Sequence, residues 1–371
     1  MPRKGMRSLC FVSKTPSFAV GRDSSPSKAS ISTPRRNFSE SMVDQSIEAA
    51  SAIINKWDPD TSTFAKRSLA LNSLIRLSDS VRLMLADFES SIQKDSSKLV
   101  VPGGGLHPLT ISSMSYLSLL ADYSNILTDI LIDWPPPEKP SSPDFYFDSP
   151  VSDDSSAPAI SLQMAWLILV LLCKLDSKAK YYKDVSTSYL FLANNLQHVV
   201  GRVRASNLQY LLGEEWITKH EAKLKQFTAS YERLAWGPVL ESLPVQGKER
   251  TAMTPGEAKQ CFNRFNDRFE EAYQKQRSCI VSDQKLRDEI KNSIAGKLVP
   301  AYREFYRTHK LNVRATEREE RNIGWFVRFT PEDVENYLYD LFFGMTDSGN
   351  SSTTSSPSSS IWRQLLSPLR N

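Results

Sequence analysis

The sequence predicts an all-α protein of stacked antiparallel helical bundles, on three observations. Apolar residues recur at three- and four-residue steps through most of the 371 residues. Alternating Val, Ile and Thr runs bounded by Asn-Gly or Asp-Gly turns are absent. No heptad persists over four repeats and no period of 20 to 50 residues recurs, so neither a long coiled coil nor a familiar repeat solenoid is signalled. Hydrophobic residues at 40% and charged residues at 24% suit a globular chain and exclude a wholly disordered, collagen-like or disulfide-framework protein.

Residues 1–38 read as a disordered basic arm. The first forty hold eight bases, two acids and many Ser and Pro, and Pro16, Pro26 and Pro34 break the long amphipathic helix a transit peptide would need. An N-terminal helical part covers 39–133. Its first helix runs over 41–57 with Val43, Ile47, Ala50 and Ile54 in register, and Asp58-Pro59 stops it. A second spans 66–94 on a stripe of Leu74, Val81, Leu85, Phe88 and Ile92. Gly103 to Gly105 reads as a hinge before a third helix carrying Tyr116, Leu120, Tyr123, Leu127 and Ile130.

Residues 134–158 hold repeated prolines and five acids against one base, so they read as a disordered acidic loop. A central bundle, 159–245, follows with helices over 160–175, 185–206 and 214–243, the last kinked or ended by Pro238. The apolar run 165–172 is far shorter than the roughly 20 residues that span a bilayer and reads as the buried centre of a helix. A C-terminal bundle with a basic surface covers 246–345. Thr254-Pro255 opens its first helix, Ser282 caps its second, which meets Pro300, and Thr330-Pro331 starts a final helix through Phe343, closed by Gly344. Residues 346–371 form a flexible Ser-rich tail.

Signals for catalysis are weak. His107, His198, His220 and His309 are scattered singly, without metal-ligand spacing, and no cofactor motif occurs. Glu214-Glu215 could form an acid–base pair, yet acids in a first helical turn are what the helix dipole favours. The Gly run lacks a following Lys-Ser or Lys-Thr, and no G-x-S-x-G, H-E-x-x-H or kinase set appears, so the chain reads as a non-enzyme. Cys10, Cys173, Cys261 and Cys279 lie far apart and read as reduced thiols in a cytosolic protein.

Charge singles out one stretch. The chain nets +4, yet residues 291–328 alone hold nine bases and four acids and net +5. Arg303, Arg307 and Lys310 fall on one helical face by spacing, and Arg314, Arg318 and Arg321 continue towards Arg328. Each base near an anionic lipid surface contributes on the order of 1 kcal/mol. Residues alone leave two readings: a lipid-facing surface, or a solvated face whose Arg and Glu neutralise one another. A nucleic-acid backbone would attract the same bases, but no recognition motif accompanies them.

Six ordered blocks then carry a resemblance: VPGGGLHPLT at 101–110, AWLILVLLCKLDSKAKYYKD at 165–184, YLFLANNLQHVV at 189–200, LLGEEWITKHEAKLKQF at 211–227, YERLAWGPVL at 231–240 and FTPEDVENYLYDLFFG at 329–344. In this order they resemble the seventy-kilodalton subunit family of the exocyst, the vesicle-tethering complex, in its plant members. The resemblance implies an elongated rod of end-to-end bundles, no enzymatic activity, and a cytoplasmic protein peripheral at the plasma membrane. Its basic carboxy-terminal end would bind phosphatidylinositol 4,5-bisphosphate, with other exocyst subunits as partners, small GTPases as candidate regulators and no nucleic acid. Arg328 matches one lipid-facing family base and Arg321 another, whereas Trp325 stands at a usually basic position. The resemblance also implies a helical, partly coiled-coil region that this chain lacks, as though Ala65 and Lys66 were joined across a deletion. Family contacts to other subunits lie in that region.

Overall fold

The computed structural model describes residues 64–131, 158–244, 253–316 and 327–344, with side chains from residue 69 onward and none over 311–316. The arm, the helix expected over 41–57, the acidic loop up to residue 157 and the tail lie outside them. The described residues form α1 (Phe64–Lys94), α2 (Pro108–Asp122), α3 (Ser124–Ile130), α4 (Ala159–Ala179), α5 (Val185–Arg204), α6 (Leu208–Leu240), α7 (Pro255–Gln276), α8 (Gln284–Thr316) and α9 (Pro331–Tyr339). Among the described residues no strand forms, and one antiparallel bridge joins Ile280 to Phe343.

Helix α4 is long and apolar enough to cross a membrane. Its Ile160, Met164, Leu167, Ile168, Leu171 and Leu175 are instead buried, where α1, α2, α3, α5 and α6 pack on it. The stripe expected on α1 is the one that packs: Val81, Leu85, Phe88 and Ile92 are buried. Lys174 and Lys178 of α4 donate to the carbonyls of Gln93 (2.8 Å) and Ser97 (2.7 Å), covering orphan acceptors where α1 ends. The single helix expected around Tyr116 to Ile130 is broken at Tyr123, which takes φ −103° and ψ 19°. Beyond the break Leu127 and Ile130 are buried, and Ser78 Oγ donates to Ile130 O at 3.1 Å.

Helix α6, about 50 Å long at 1.5 Å per residue, runs through both halves of the molecule. Gly213, at φ 77° and ψ 168°, separates a first short turn from the main helix, in a conformation essentially reserved for glycine. Just past the middle of α6 Phe227 meets Tyr189 of α5; one turn later Tyr231 donates to Gln276 Oε1 at 3.0 Å, and Trp236 packs by Phe269 of α7. The same helix thus closes the α1–α5 bundle and opens the α7–α9 bundle. Pro238 stands in its last turn and the helix ends at Leu240.

The Gly103–Gly105 run is not the hinge its composition suggests. It is knotted into the junction of the two bundles. Gly103 O accepts from Ile280 N at 2.8 Å, and a Cβ on Gly103 would come within 2.4 Å of Ser278 O. Asn194 Nδ2 donates to both Gly104 O (2.7 Å) and Ile280 O (2.8 Å). Val281 N donates to Phe342 O, and Gly344 N to Cys279 O. Two further local expectations shift. Asp283, rather than Ser282, caps α8, its Oδ1 accepting from Leu286 N at 2.7 Å. Helix α9 stops at Tyr339 because Phe342, buried against Tyr231, adopts φ 73° and turns the chain before Gly344 does.

Candidate functional site

The far bundle is organised by aromatic packing, which decides where its cations point. On α8, Leu298, Tyr302 and Phe305 face inward; Tyr302 stacks on Phe265 of α7 at 3.9 Å, and Phe305 lies 4.6 Å from Phe262. With that face buried, Arg303, Arg307 and Lys310 fall on an adjoining strip, the two arginines exposed and Lys310 half-buried. Arg314 continues the strip by helical spacing; its side chain lies outside the described residues, as do Arg318 and Arg321 altogether. Arg328 enters from the connection before α9. There Phe329 is buried against Phe269, and Tyr302 donates to Phe329 O at 2.7 Å, fixing the segment.

Each described arginine of the group has a carboxylate. Arg303 meets Glu335 of α9 at 3.4 Å, Arg307 meets Glu304 one turn back at 2.9 Å, and Arg328 meets Glu270 of α7 at 2.7 Å. Lys310 Nζ sits 4.6 Å from the centre of the Tyr306 ring. The structure therefore lines up Arg303, Arg307 and Lys310 along one helix and turns Arg328 towards α7. The two pairs on α8 are open to water, the Arg307 side chain being 78% exposed and Arg303 52%, whereas Glu270 beside Arg328 is half-buried. An exposed pair of this kind contributes about 0–1 kcal/mol, so an incoming phosphate can replace the glutamate at small cost.

Two further bases counted in the +5 stretch have other partners, Lys291 buried and Lys297 exposed. Lys291 is buried, donates to Tyr339 O and lies 4.4 Å from the Phe343 ring centre; burial pulls its pKa down. Lys297 pairs with Glu232 of α6. Sequence reading missed Glu270, Glu335 and Tyr302. The glutamates carry no local signal, whereas Tyr302, in register with Leu298 and Phe305, could have been placed on the inner face by periodicity.

The other candidates resolve into structural roles. Glu214 pairs with Arg204 at 3.1 Å and Glu215 with Lys219 at 3.1 Å, so the two acids diverge onto separate bases. His107 caps α2, its Nδ1 accepting from Leu109 N. His220 stacks on Trp216 at 3.6 Å with Nδ1 2.7 Å from Trp216 O, and burial pulls its pKa down to about 4. Cys173, Cys261 and Cys279 form no disulfide, and burial pushes the Cys279 thiol up to about 12. Among the described residues no group of His, Cys, Asp or Glu is arranged to hold a metal ion.

Comparison with known proteins places this architecture. Residues 31–340 match the family described as the C-terminal part of the Exo70 exocyst complex subunit. The chain belongs to this family. It is 30% identical over 280 residues to exocyst complex component EXO70A1 of Arabidopsis thaliana, covering 72% of this chain and 41% of that protein. It is 32% identical over 282 residues to exocyst complex component EXO70B1 of the same plant, covering 76% and 42%. A structure of Saccharomyces cerevisiae Exo70 superposes with a TM-score of 0.56 at 19% identity, covering 82% of this chain and 59% of that one. That likeness establishes the fold, an all-α rod of stacked helical bundles. The chain spans about two fifths of the length of these plant relatives.

Proposed function

We propose that this chain acts in exocytosis as a tethering subunit of the exocyst, binding without turnover. It would work from the cytoplasm as a peripheral protein of the plasma membrane. Its basic carboxy-terminal surface, Arg303, Arg307, Lys310, Arg314, Arg318, Arg321 and Arg328, engages phosphatidylinositol 4,5-bisphosphate, while its helical faces dock other exocyst subunits, with small GTPases as regulators. Family membership supports the general role. The observation that carries the lipid reading is the strip of α8 on which Arg303 and Arg307 stand in water, held by exchangeable glutamates.

Magnitudes favour exchange. A base near an anionic leaflet gains on the order of 1 kcal/mol, against roughly half that for a surface ion pair, and several bases act together on one headgroup-rich patch. Flotation with vesicles containing phosphatidylinositol 4,5-bisphosphate tests the reading. Reversing Arg303 and Arg307 to Glu should weaken binding by at least about tenfold, and raised salt should weaken it further. Equal binding to neutral vesicles, or no loss on reversal, sinks it.

A further inference from the structure

A second basic surface lies at the end of the first bundle, outside the stretch that charge singles out. Three side chains of α4 and its exit reach across to the segment that follows α1. Lys174 Nζ donates to Gln93 O at 2.8 Å, Lys178 Nζ to Ser97 O at 2.7 Å and Tyr182 OH to Val101 O at 2.8 Å. Donor and acceptor both advance by four residues from one rung to the next, so residues 93–101 are strapped alongside residues 174–182. The three rungs span about 12 Å at 1.5 Å per residue.

The two strapped segments are rich in one base. Residues 93–101 and 174–185 hold six lysines, no arginine and three aspartates. Each aspartate is engaged locally: Asp95 meets the buried Lys178 at 3.2 Å, Asp176 meets Lys180 at 3.9 Å, and Asp184 accepts from the Thr187 amide that it caps at 3.0 Å. Lys94, Lys98 and Lys183 are exposed, and beside them in sequence so are Leu99, Val100 and Tyr181. Charges spaced on the order of a Debye length, about 8 Å at physiological salt, act together on an approaching surface.

Lysine and arginine suit different anions. The planar fork of arginine matches a phosphate at two points, whereas the compact ammonium of lysine, on its flexible stem, answers to the potential of a charged surface. The strip on α8 is mostly arginine and the strap has none. Apolar side chains next to lysines complete an interfacial composition, in which stems and rings enter the headgroup region while the ammonium groups stay in water. We propose that residues 94–100, together with residues 180–183 at the end of α4, form a second membrane contact. It is directed to the diffuse negative charge that phosphatidylserine gives a leaflet, and it stands independently of the inositol-lipid surface proposed above.

Flotation of the full chain with two kinds of vesicle tests this: neutral lipid carrying phosphatidylserine alone, and neutral lipid carrying phosphatidylinositol 4,5-bisphosphate alone. Changing Lys94, Lys98 and Lys183 together to Glu alters exposed side chains only, so folding is retained. Binding to the phosphatidylserine vesicles should fall at least about tenfold more than binding to the inositol-lipid vesicles. Reversing Arg303 and Arg307 should invert that order. Leu99→Ser with Val100→Ser should weaken phosphatidylserine binding by about threefold, and by the same factor at raised salt, where the lysine contribution is screened. Equal losses on both vesicles after lysine reversal overturn the proposal, as does an unaltered chain that does not float with phosphatidylserine. So does equal competition by a short DNA duplex with no effect of the Leu99 and Val100 changes, which would assign the lysines to polyanions at large. A chain that floats with phosphatidylserine through these lysines but ignores the inositol lipid overturns the reading of the α8 strip and leaves this contact standing.

Discussion

The side chain of Asn195 fills its whole hydrogen-bonding capacity in the core. Its Oδ1 accepts from His107 N (2.9 Å) and Thr110 Oγ1 (2.7 Å), and its Nδ2 donates to Phe191 O (2.7 Å) and Gly105 O (3.3 Å). Truncation to Ala leaves buried groups on both sides without partners, so urea unfolding of Asn195→Ala should show a loss of roughly 3 kcal/mol. A loss below about 1 kcal/mol would mean that water replaces the amide. His220 makes a second residue-level prediction. Burial holds its ring neutral, with the pKa at about 4 instead of 6.5. Between these values the unfolded chain takes up a proton that the folded chain refuses, so stability falls as pH drops through that window and levels off below it. The full effect is up to about 3 kcal/mol, from about 1.4 kcal/mol per unit. His220→Gln should flatten the denaturation midpoint between pH 6.5 and 4 by that share. A packed helix histidine is what the sequence favours at His220, whereas no pattern reaches the role of Asn195: His107, Thr110 and Gly105 lie some 85 to 90 positions away, and two adjacent amides on an apolar helix were the available hint.

At the scale of the helix, what the sequence conveys is what is local. Thr254-Pro255 and Thr330-Pro331 both open helices with full capping boxes. Thr254 N donates to Glu257 Oε2 and Thr330 N to Asp333 Oδ2, each at 2.8 Å, and each threonine Oγ1 accepts in return. The break at Tyr123 and the early end of α9 have no such marker, because distant partners set them. Phe342 accepts a left-handed backbone only because its ring is buried by Tyr231 and its carbonyl is taken by Val281. The site follows the same division. Spacing places Arg303, Arg307 and Lys310 on one strip, whereas Glu335 and Glu270 reach Arg303 and Arg328 from other helices. A nine-residue helix such as α9 does not stand on propensity alone. Removing the cap with Thr330→Ala should cost about 1 kcal/mol and show first as faster amide exchange over Val334 to Leu338. Thr254→Ala, made at the start of the longer α7, should cost as much globally without that local signature.

For the whole molecule, α6 decides whether the two bundles are one folding unit. Its residues up to Phe227 belong to the first bundle and those from Tyr231 onward to the second, with no break in the helix between. The junction adds backbone bonds from Gly103 to Ile280 and side-chain bonds from Asn194 to both bundles. Unfolding either half would therefore strip packing from α6 and strand buried polar groups of the other. A single cooperative transition is expected, with calorimetric and van't Hoff enthalpies equal. Leu117→Ala in the first bundle and Phe265→Ala in the second remove fully buried side chains, each costing about 3–5 kcal/mol. Both should move that one transition, and their costs should add, since the sites share no partner. Replacing Asn194 by Ala is the discriminating case. If the junction couples the halves, this variant splits the transition or broadens it, and a variant that merely shifts a still-sharp transition would leave α6 alone as the element that joins them.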